Sequence, residues 1–153
     1  MSLSILFSAE EVDRRITEMA SAIYSDFKDS SDLVVVAITK GSIIFTADLV
    51  RKIPLKMTLE LVSAKSYRQG RTEAGELNVC MSLDPSAITG KDVLLVDDIA
   101  DSGVTMTSIA EMLSSHSPRS LKTCALLDKP SRRKVRLDVD YKGFDIPDRF
   151  VDT

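Results

Sequence analysis

Residues 33–38, 93–96 and 123–127 are short runs dominated by β-branched and aliphatic side chains, and they constrain this chain more than any other feature. A strand half exposed on a sheet surface alternates apolar and polar residues. A strand apolar at nearly every position has to be covered on both faces. The first run leads through Thr39-Lys40-Gly41-Ser42 into Ile43, Ile44, Ala47 and Val50 at helical spacing, with Pro54 just past the end. The second leads through an acidic, Gly-containing turn into Met106, Ile109, Ala110 and Leu113, again at helical spacing. Strands alternating with helices predict an α/β fold: a mostly parallel twisted sheet with helices on both faces. Met57, Leu59 and Leu61 alternate with polar residues and predict a further strand, and the same alternation returns at Leu77, Val79, Met81 and Leu83. Ser8-Ala9-Glu10-Glu11 forms a capping box ahead of Val12, Ile16, Met19, Ala20 and Ile23, which predicts a first amphipathic helix ending near Tyr24. No repeat, low-complexity tract or Pro/Gly-rich linker divides the 153 residues, so 1–153 reads as one domain.

The formal net charge of −3 argues against non-specific nucleic-acid binding, which needs a basic surface. No apolar run approaches the roughly 20 residues of a membrane span. The N-terminal MSLSILFSAEE lacks the charged start and long apolar core of a secretory leader, so a cytoplasmic protein is expected. Cys80 and Cys124 are far apart within apolar patterns and read as buried free thiols of a reducing compartment. The single His116, in Ser-Ser-His-Ser-Pro, reads as a solvated helix end.

The chemistry concentrates where strands meet turns. Ligands in a parallel sheet bind at the carboxyl ends of its strands, and Lys40-Gly41, the segment 97–105 and Asp128-Lys129 all fall there. Asp97 and Asp98 offer acceptor-only carboxylates suited to the two hydroxyls of a ribose. Ser102, Gly103, Val104 and Thr105 follow, where the amides of a helix start favour a phosphate. A plain helix start capped by Asp101 is the other reading of these residues. It leaves Asp97, Asp98 and Asp101 to repel one another unless a sugar, metal or basic partner engages them. The G-x-x-x-x-G-K-[ST] pattern of P-loop nucleotide hydrolysis is absent. Ser66-Tyr67 opens a polar stretch with two glycines, Gly70 and Gly75, that predicts a mobile loop over 66–75.

The segment from Val93 to Met106, Val-Leu-Leu-Val-Asp-Asp-Ile-Ala-Asp-Ser-Gly-Val-Thr-Met, closely resembles the diphosphate-sugar motif of the type I phosphoribosyltransferases. The resemblance implies that Asp97 and Asp98 hold the ribose hydroxyls, and that Ile99, Ala100, Asp101, Ser102, Gly103, Val104, Thr105 and Met106 form the loop that cradles the 5′-phosphate. That family usually has Glu where Asp97 stands, so the shorter side chain is expected to reach the ribose less directly. Lys40-Gly41-Ser42 with Phe45 and Ala47-Asp48-Leu49-Val50 resembles the pyrophosphate loop of the hypoxanthine-guanine branch, often built on a cis peptide before the Lys. Taken alone it is an ordinary strand-to-helix turn. Lys65-Ser66-Tyr67 resembles the start of that branch's flexible catalytic loop.

The segments Leu126-Leu127-Asp128-Lys129-Pro130 and Tyr141-Lys142-Gly143-Phe144-Asp145-Ile146-Pro147-Asp148-Arg149-Phe150 resemble that branch's purine-recognition parts. They imply a small base-binding hood over 128–153, which the end at Thr153 is expected to leave reduced. Lys129 would donate to the six-position oxygen of the purine, Tyr141 would stack on its face, backbone groups of Lys142 would read its edge, and Asp148 would lie near its two-position side. Without the resemblance, Tyr141 and Phe144 read as core aromatics and Arg132-Arg133-Lys134 as a solvated basic face. The implied reaction transfers ribose 5-phosphate from 5-phosphoribosyl diphosphate to hypoxanthine or guanine in purine salvage. Asp101 and Lys129 would be catalytic, with Mg²⁺ held near Asp97, Asp98 and Asp148, in a homodimer or homotetramer with neither nucleic acid nor membrane as partner. The competing readings are an RNA-binding regulator of the same fold, using Arg132, Arg133, Lys134 and Arg136, and a non-catalytic 5-phosphoribosyl diphosphate binder.

Overall fold

The capping box opens the first helix as predicted. The Ser8 hydroxyl accepts from the Glu11 amide, and the Glu11 carboxylate accepts from the Ser8 amide, each at 3.0 Å. Two of the amides that a helix start leaves over are thereby satisfied. Helix α1 spans Ala9–Phe27, past the expected end near Tyr24, because Phe27 continues the buried stripe of Ile16, Met19, Ala20 and Ile23. The computed structural model describes residues 7–63 and 83–147. The alternation at Leu77, Val79 and Met81, the expected loop over 66–75 with Ser66 and Tyr67, Cys80 and Asp148 lie outside the described residues.

Five strands form one sheet: β1 (Leu33–Thr39), β2 (Met57–Ser63), β3 (Asp92–Ala100), β4 (Ser120–Asp128) and β5 (Tyr141–Asp145). Their order is β2-β1-β3-β4-β5 and each neighbouring pair is parallel. Helix α2 (Ile43–Val50) follows β1 and α3 (Val104–Ser114) follows β3. The unbroken apolar runs are explained by cover on both sides, since successive side chains of a strand point to opposite faces. Val35, Leu94, Val96 and Cys124 pack with Ile16 and Ile23 of α1 and Phe45 and Leu49 of α2. Val34, Val36, Val93 and Leu95 pack with Met106, Ile109 and Leu113 of α3. No helix among the described residues is long and apolar enough to cross a membrane.

At the amino end of the sheet, Asp92 ties three connections together. Its carboxylate accepts from Arg119 at 2.6 and 3.1 Å, from the Ser120 hydroxyl at 2.7 Å and from the Ser30 hydroxyl at 2.5 Å. The Arg119 guanidinium, with these hydroxyls, holds the carboxyl well below the usual carboxylate range. Strand β5 was not expected from the sequence, because five residues that include Gly143 and two charges carry no period. Two contacts place it. The Asp140 carboxylate accepts from the Thr123 amide at 2.8 Å while the Thr123 hydroxyl accepts from the Asp140 amide at 3.1 Å. Arg15 on α1 donates to the carbonyls of Gly143 at 2.8 Å and Lys142 at 2.7 Å.

Candidate active site

The strand order puts β1 beside β3, although the chain leaves β1 toward β2 and leaves β3 toward β4. Open α/β sheets bind ligands at such a reversal, beyond the carboxyl ends of the strands, where the connections diverge. Here β1 stops pairing with β3 at Ala37 opposite Val96, while β4 goes on pairing with β3 as far as Ala100 opposite Asp128. This corrects the expected strand end at Val96. Asp97 and Asp98 lie inside β3, on a stretch that has lost its β1 neighbour and is still held by β4. The backbone edge of this stretch therefore borders open space instead of another strand.

A cleft of about 570 Å³ occupies that space. Thr39, Lys40 and Gly41 from the end of β1 line one side, and Ser63 closes the end of β2. Asp97, Asp98, Ile99, Ala100, Asp101, Ser102, Gly103, Thr105 and Met106 line the other, so of the expected loop residues only Val104 is not on the wall. The Thr39–Lys40 peptide is cis. Gly41 comes against the acid pair: a Cβ there would stand 3.0 Å from Asp98 Oδ2. The Asp97 carboxylate turns back to accept from the Asp98 amide at 2.8 Å, a local bond well suited to a short acid. The turn itself is set by Gly103, whose φ of +87° suits a residue without Cβ.

The helix-cap reading of Asp101 is corrected by the same turn. Gly103 is the N-cap of α3 and has no side chain to cap it, while the Ser102 hydroxyl accepts from the Val104 amide at 3.3 Å. Asp101 stands earlier on the cleft wall, with Oδ1 3.4 Å from Arg132 Nε. The solvated basic face holds at Arg132 and Lys134, which are exposed, and is corrected at Arg133. The Arg133 side chain is largely enclosed, with its guanidinium 2.7 Å from the buried Asp128 carboxylate, and Lys142 reaches the same carboxylate at 3.6 Å. Of the candidate RNA-binding cations, Arg132 and Arg133 are thus paired with Asp101 and Asp128, and Arg136 lies 3.7 Å from Asp138. The role of Asp128 and Arg133 was not legible in the sequence, because their pairing depends on the chain path between them and follows no helical or strand spacing.

Lys129 is buried, 2% exposed, directly after β4, and its amide donates to the Ala100 carbonyl at 2.9 Å. Its backbone therefore abuts the Asp101 turn. Tyr141 is corrected outright. It packs in the core with Ile16, Ile23 and Leu126, and its hydroxyl donates to Asp26 of α1, so it is a core aromatic and not a platform for a base. Lys142 is corrected too: its carbonyl accepts from Arg15, and its ammonium lies 2.9 Å from Asp145. Cys124 is free and buried, and burial pushes its thiol up. His116 is part-buried in the turn after α3, where its carbonyl accepts from the Thr89 hydroxyl at 2.8 Å.

For a metal, the donors at the cleft are the oxygens of Asp97 and Asp98. Among the described residues no group of three or more His, Cys, Asp or Glu side chains could hold an ion. An oxygen-only pair fits Mg²⁺, which binds through one or two carboxylates and completes its shell with waters and substrate phosphates.

The family profile of the phosphoribosyl transferase domain matches residues 2–153. The hypoxanthine phosphoribosyltransferase of Escherichia coli K12 is 41% identical over 151 residues, spanning 98% of this chain and 84% of that protein. The hypoxanthine-guanine phosphoribosyltransferase of Aquifex aeolicus is 42% identical over 149 residues, 97% of this chain and 83% of that one. A Bacillus anthracis hypoxanthine-guanine phosphoribosyltransferase, solved with HEPES in its active site, superposes with a TM-score of 0.77 at 38% identity. That match covers 92% of this chain and 80% of the solved one. Parallel sheet, cleft at the strand reversal, acid pair and relatives agree, and the chain belongs to the phosphoribosyltransferase family with the type I fold.

Proposed function

We propose that this chain transfers the 5-phosphoribosyl group of 5-phosphoribosyl diphosphate to a 6-oxopurine, hypoxanthine or guanine, releasing pyrophosphate in purine salvage. The observation that carries the reading is the convergence of Lys40-Gly41, Asp97, Asp98 and the 101–105 turn on one cleft. The anomeric C–O bond to pyrophosphate breaks and a bond from the anomeric carbon to the purine imidazole nitrogen forms. The proton lost by that ring is accepted by the Asp101 carboxylate, which acts as general base. Asp97 and Asp98 hold the ribose hydroxyls, Ser102, Gly103 and Thr105 the 5′-phosphate, and the backbone at Thr39-Lys40-Gly41 the departing pyrophosphate. The Lys129 ammonium orients the six-position oxygen. A donor at that position opposes adenine, which presents an amino group there. Asp97 and Asp98, joined by Asp148, would hold Mg²⁺, which would supply positive charge to offset that on the leaving diphosphate. Ser66 and Tyr67 would help exclude water from the sugar cation. The working form is a cytoplasmic homodimer or homotetramer.

The test supplies 5-phosphoribosyl diphosphate and Mg²⁺ with hypoxanthine, guanine, xanthine, adenine or uracil in turn and follows nucleotide by chromatography. Product from hypoxanthine or guanine, lost in Asp101→Asn, is expected. Product from none of the five overturns the reading.

A further inference from the structure

Arg133 stands behind the Asp101 turn, outside the set of residues given a role above. Its guanidinium spends its donors on backbone carbonyls of the site. Nη1 donates to Asp101 O at 3.1 Å and Ala100 O at 3.2 Å and lies 3.5 Å from Lys129 O. Nε donates to Leu137 O at 3.1 Å, and Nη2 to Asp128 Oδ1 at 2.7 Å. The next amide, that of Lys134, donates to Ser102 O at 2.7 Å. The carbonyls of Ala100, Asp101 and Ser102 are therefore all held on the side of segment 133–134. In a trans peptide the following N–H points opposite to the carbonyl. The amides of Asp101, Ser102 and Gly103 are thereby directed away from Arg133, toward the cleft that these residues line. Successive amides aimed one way form a concave anion seat.

We propose that Arg133 is a positioning residue for phosphoribosyl transfer, acting through the turn it holds. This inference rests on the function proposed above. One planar fork fixes the aim of the phosphate-binding amides and the place of the Asp101 carboxylate. The same fork, through Asp128 and the Lys129 carbonyl, sets that turn against the segment that carries Lys129. Lysine cannot substitute, because a single ammonium on a flexible stem cannot reach carbonyls of three segments and the Asp128 carboxylate together.

The test compares the parent protein with Arg133→Lys and Arg133→Ala. Calorimetry gives the affinity for 5-phosphoribosyl diphosphate with Mg²⁺, turnover with hypoxanthine gives kcat and both KM values, and thermal melting reports folding. Arg133→Lys keeps a cation for Asp128 and is expected to melt cooperatively near the parent. Its diphosphate affinity should nonetheless weaken about tenfold or more and its kcat fall, with a smaller change in KM for hypoxanthine. Added guanidinium at low, non-denaturing concentration should restore part of the affinity of Arg133→Ala. If Arg133→Ala does not fold, Arg133→Lys alone decides. Parental affinity and kcat in Arg133→Lys overturn the proposal, since neutralising Asp128 would then suffice. A loss in Arg133→Lys that equals its loss of folded protein overturns it as well. A parent that itself binds no 5-phosphoribosyl diphosphate overturns the underlying function, and this proposal with it, and is recognised because the failure precedes any substitution.

Discussion

Two glycines with similar positive φ allow the packing behind the phosphate turn to be weighed against backbone strain alone. Gly103 has φ +87° and Gly90 has φ +73°. A Cβ at Gly90 would meet nothing within 4 Å, whereas one at Gly103 would stand 3.2 Å from Val135 O and 3.3 Å from both Arg133 Cδ and Val135 Cγ2. An L-residue in the left-handed region costs about 1–2 kcal/mol, partly offset by roughly 0.5 kcal/mol from a less flexible unfolded chain. Gly90→Ala should therefore destabilise by about 1 kcal/mol. At Gly103 the 133–135 segment must also retreat by a few tenths of an ångström, and overpacking of that kind adds about 1 kcal/mol at the low end of its range. Gly103→Ala should therefore cost about 2 kcal/mol if the turn keeps its shape. If the turn instead tilts to relieve the contact, less stability is lost and the amides lose their aim, weakening 5-phosphoribosyl diphosphate by about tenfold for each 1.4 kcal/mol so diverted. Urea unfolding and calorimetric titration of both variants separate these shares. Gly90 lies before β3 at the opposite end of the sheet and should leave affinity unchanged. Gly103→Ala with the stability of Gly90→Ala and parental affinity would refute the account of the turn.

Asp101→Asn should lower kcat by roughly 10²–10⁴-fold while 5-phosphoribosyl diphosphate affinity changes little, and equal losses in steady-state assays would remove its role as base. Asp92→Asn should cost about 1–2 kcal/mol at neutral pH in urea unfolding, a figure held down because the Arg119 side chain is 50% exposed. Because the folded carboxyl titrates below its ordinary 3.8, its contribution is complete above that value and is lost as the pH falls toward the folded one. The variant should accordingly lose less stability than the parent when acidified below about pH 4, and an unchanged acid slope would contradict the clamp. Tyr141→Phe removes only the bond to Asp26 and should cost about 1 kcal/mol in the same assay, with KM for hypoxanthine unaltered. A large rise in that KM would return Tyr141 to the base site.

Where function depends on residues adjacent in sequence, the sequence alone went far. Segment 97–106 carries acids, turn and helix start in one stretch, so its chemistry could be read without coordinates, and all but Val104 of it lines the cleft. Lys40-Gly41 was different. Alone it is a common turn, and resemblance, not local physics, singled it out. Tyr141 shows the opposite limit: resemblance made it a base platform, and its residue type a core aromatic. The choice was made by α1, which brings Asp26 to its hydroxyl from 115 residues away.

The chain by itself determined the architecture, because runs apolar at every position can be stable only between two layers, and the alternation of runs and helices leaves a parallel sheet as the economical solution. It also suggested the ligand chemistry proposed above, since vicinal carboxylates before a glycine turn keep their acceptor character wherever they are placed. Tertiary structure alone decided how far β3 extends, because β4 holds it beyond the point where β1 stops. It alone turned Arg133 from a surface cation into the support of the phosphate turn, and made a strand of residues 141–145. Those outcomes depend on carbonyls and carboxylates brought from distant segments, 32 residues away for Asp101 and Arg133 and 128 for Arg15 and Gly143. A hydrogen bond at that separation leaves no period in the sequence, since its strength depends on where the rest of the fold delivers its two ends.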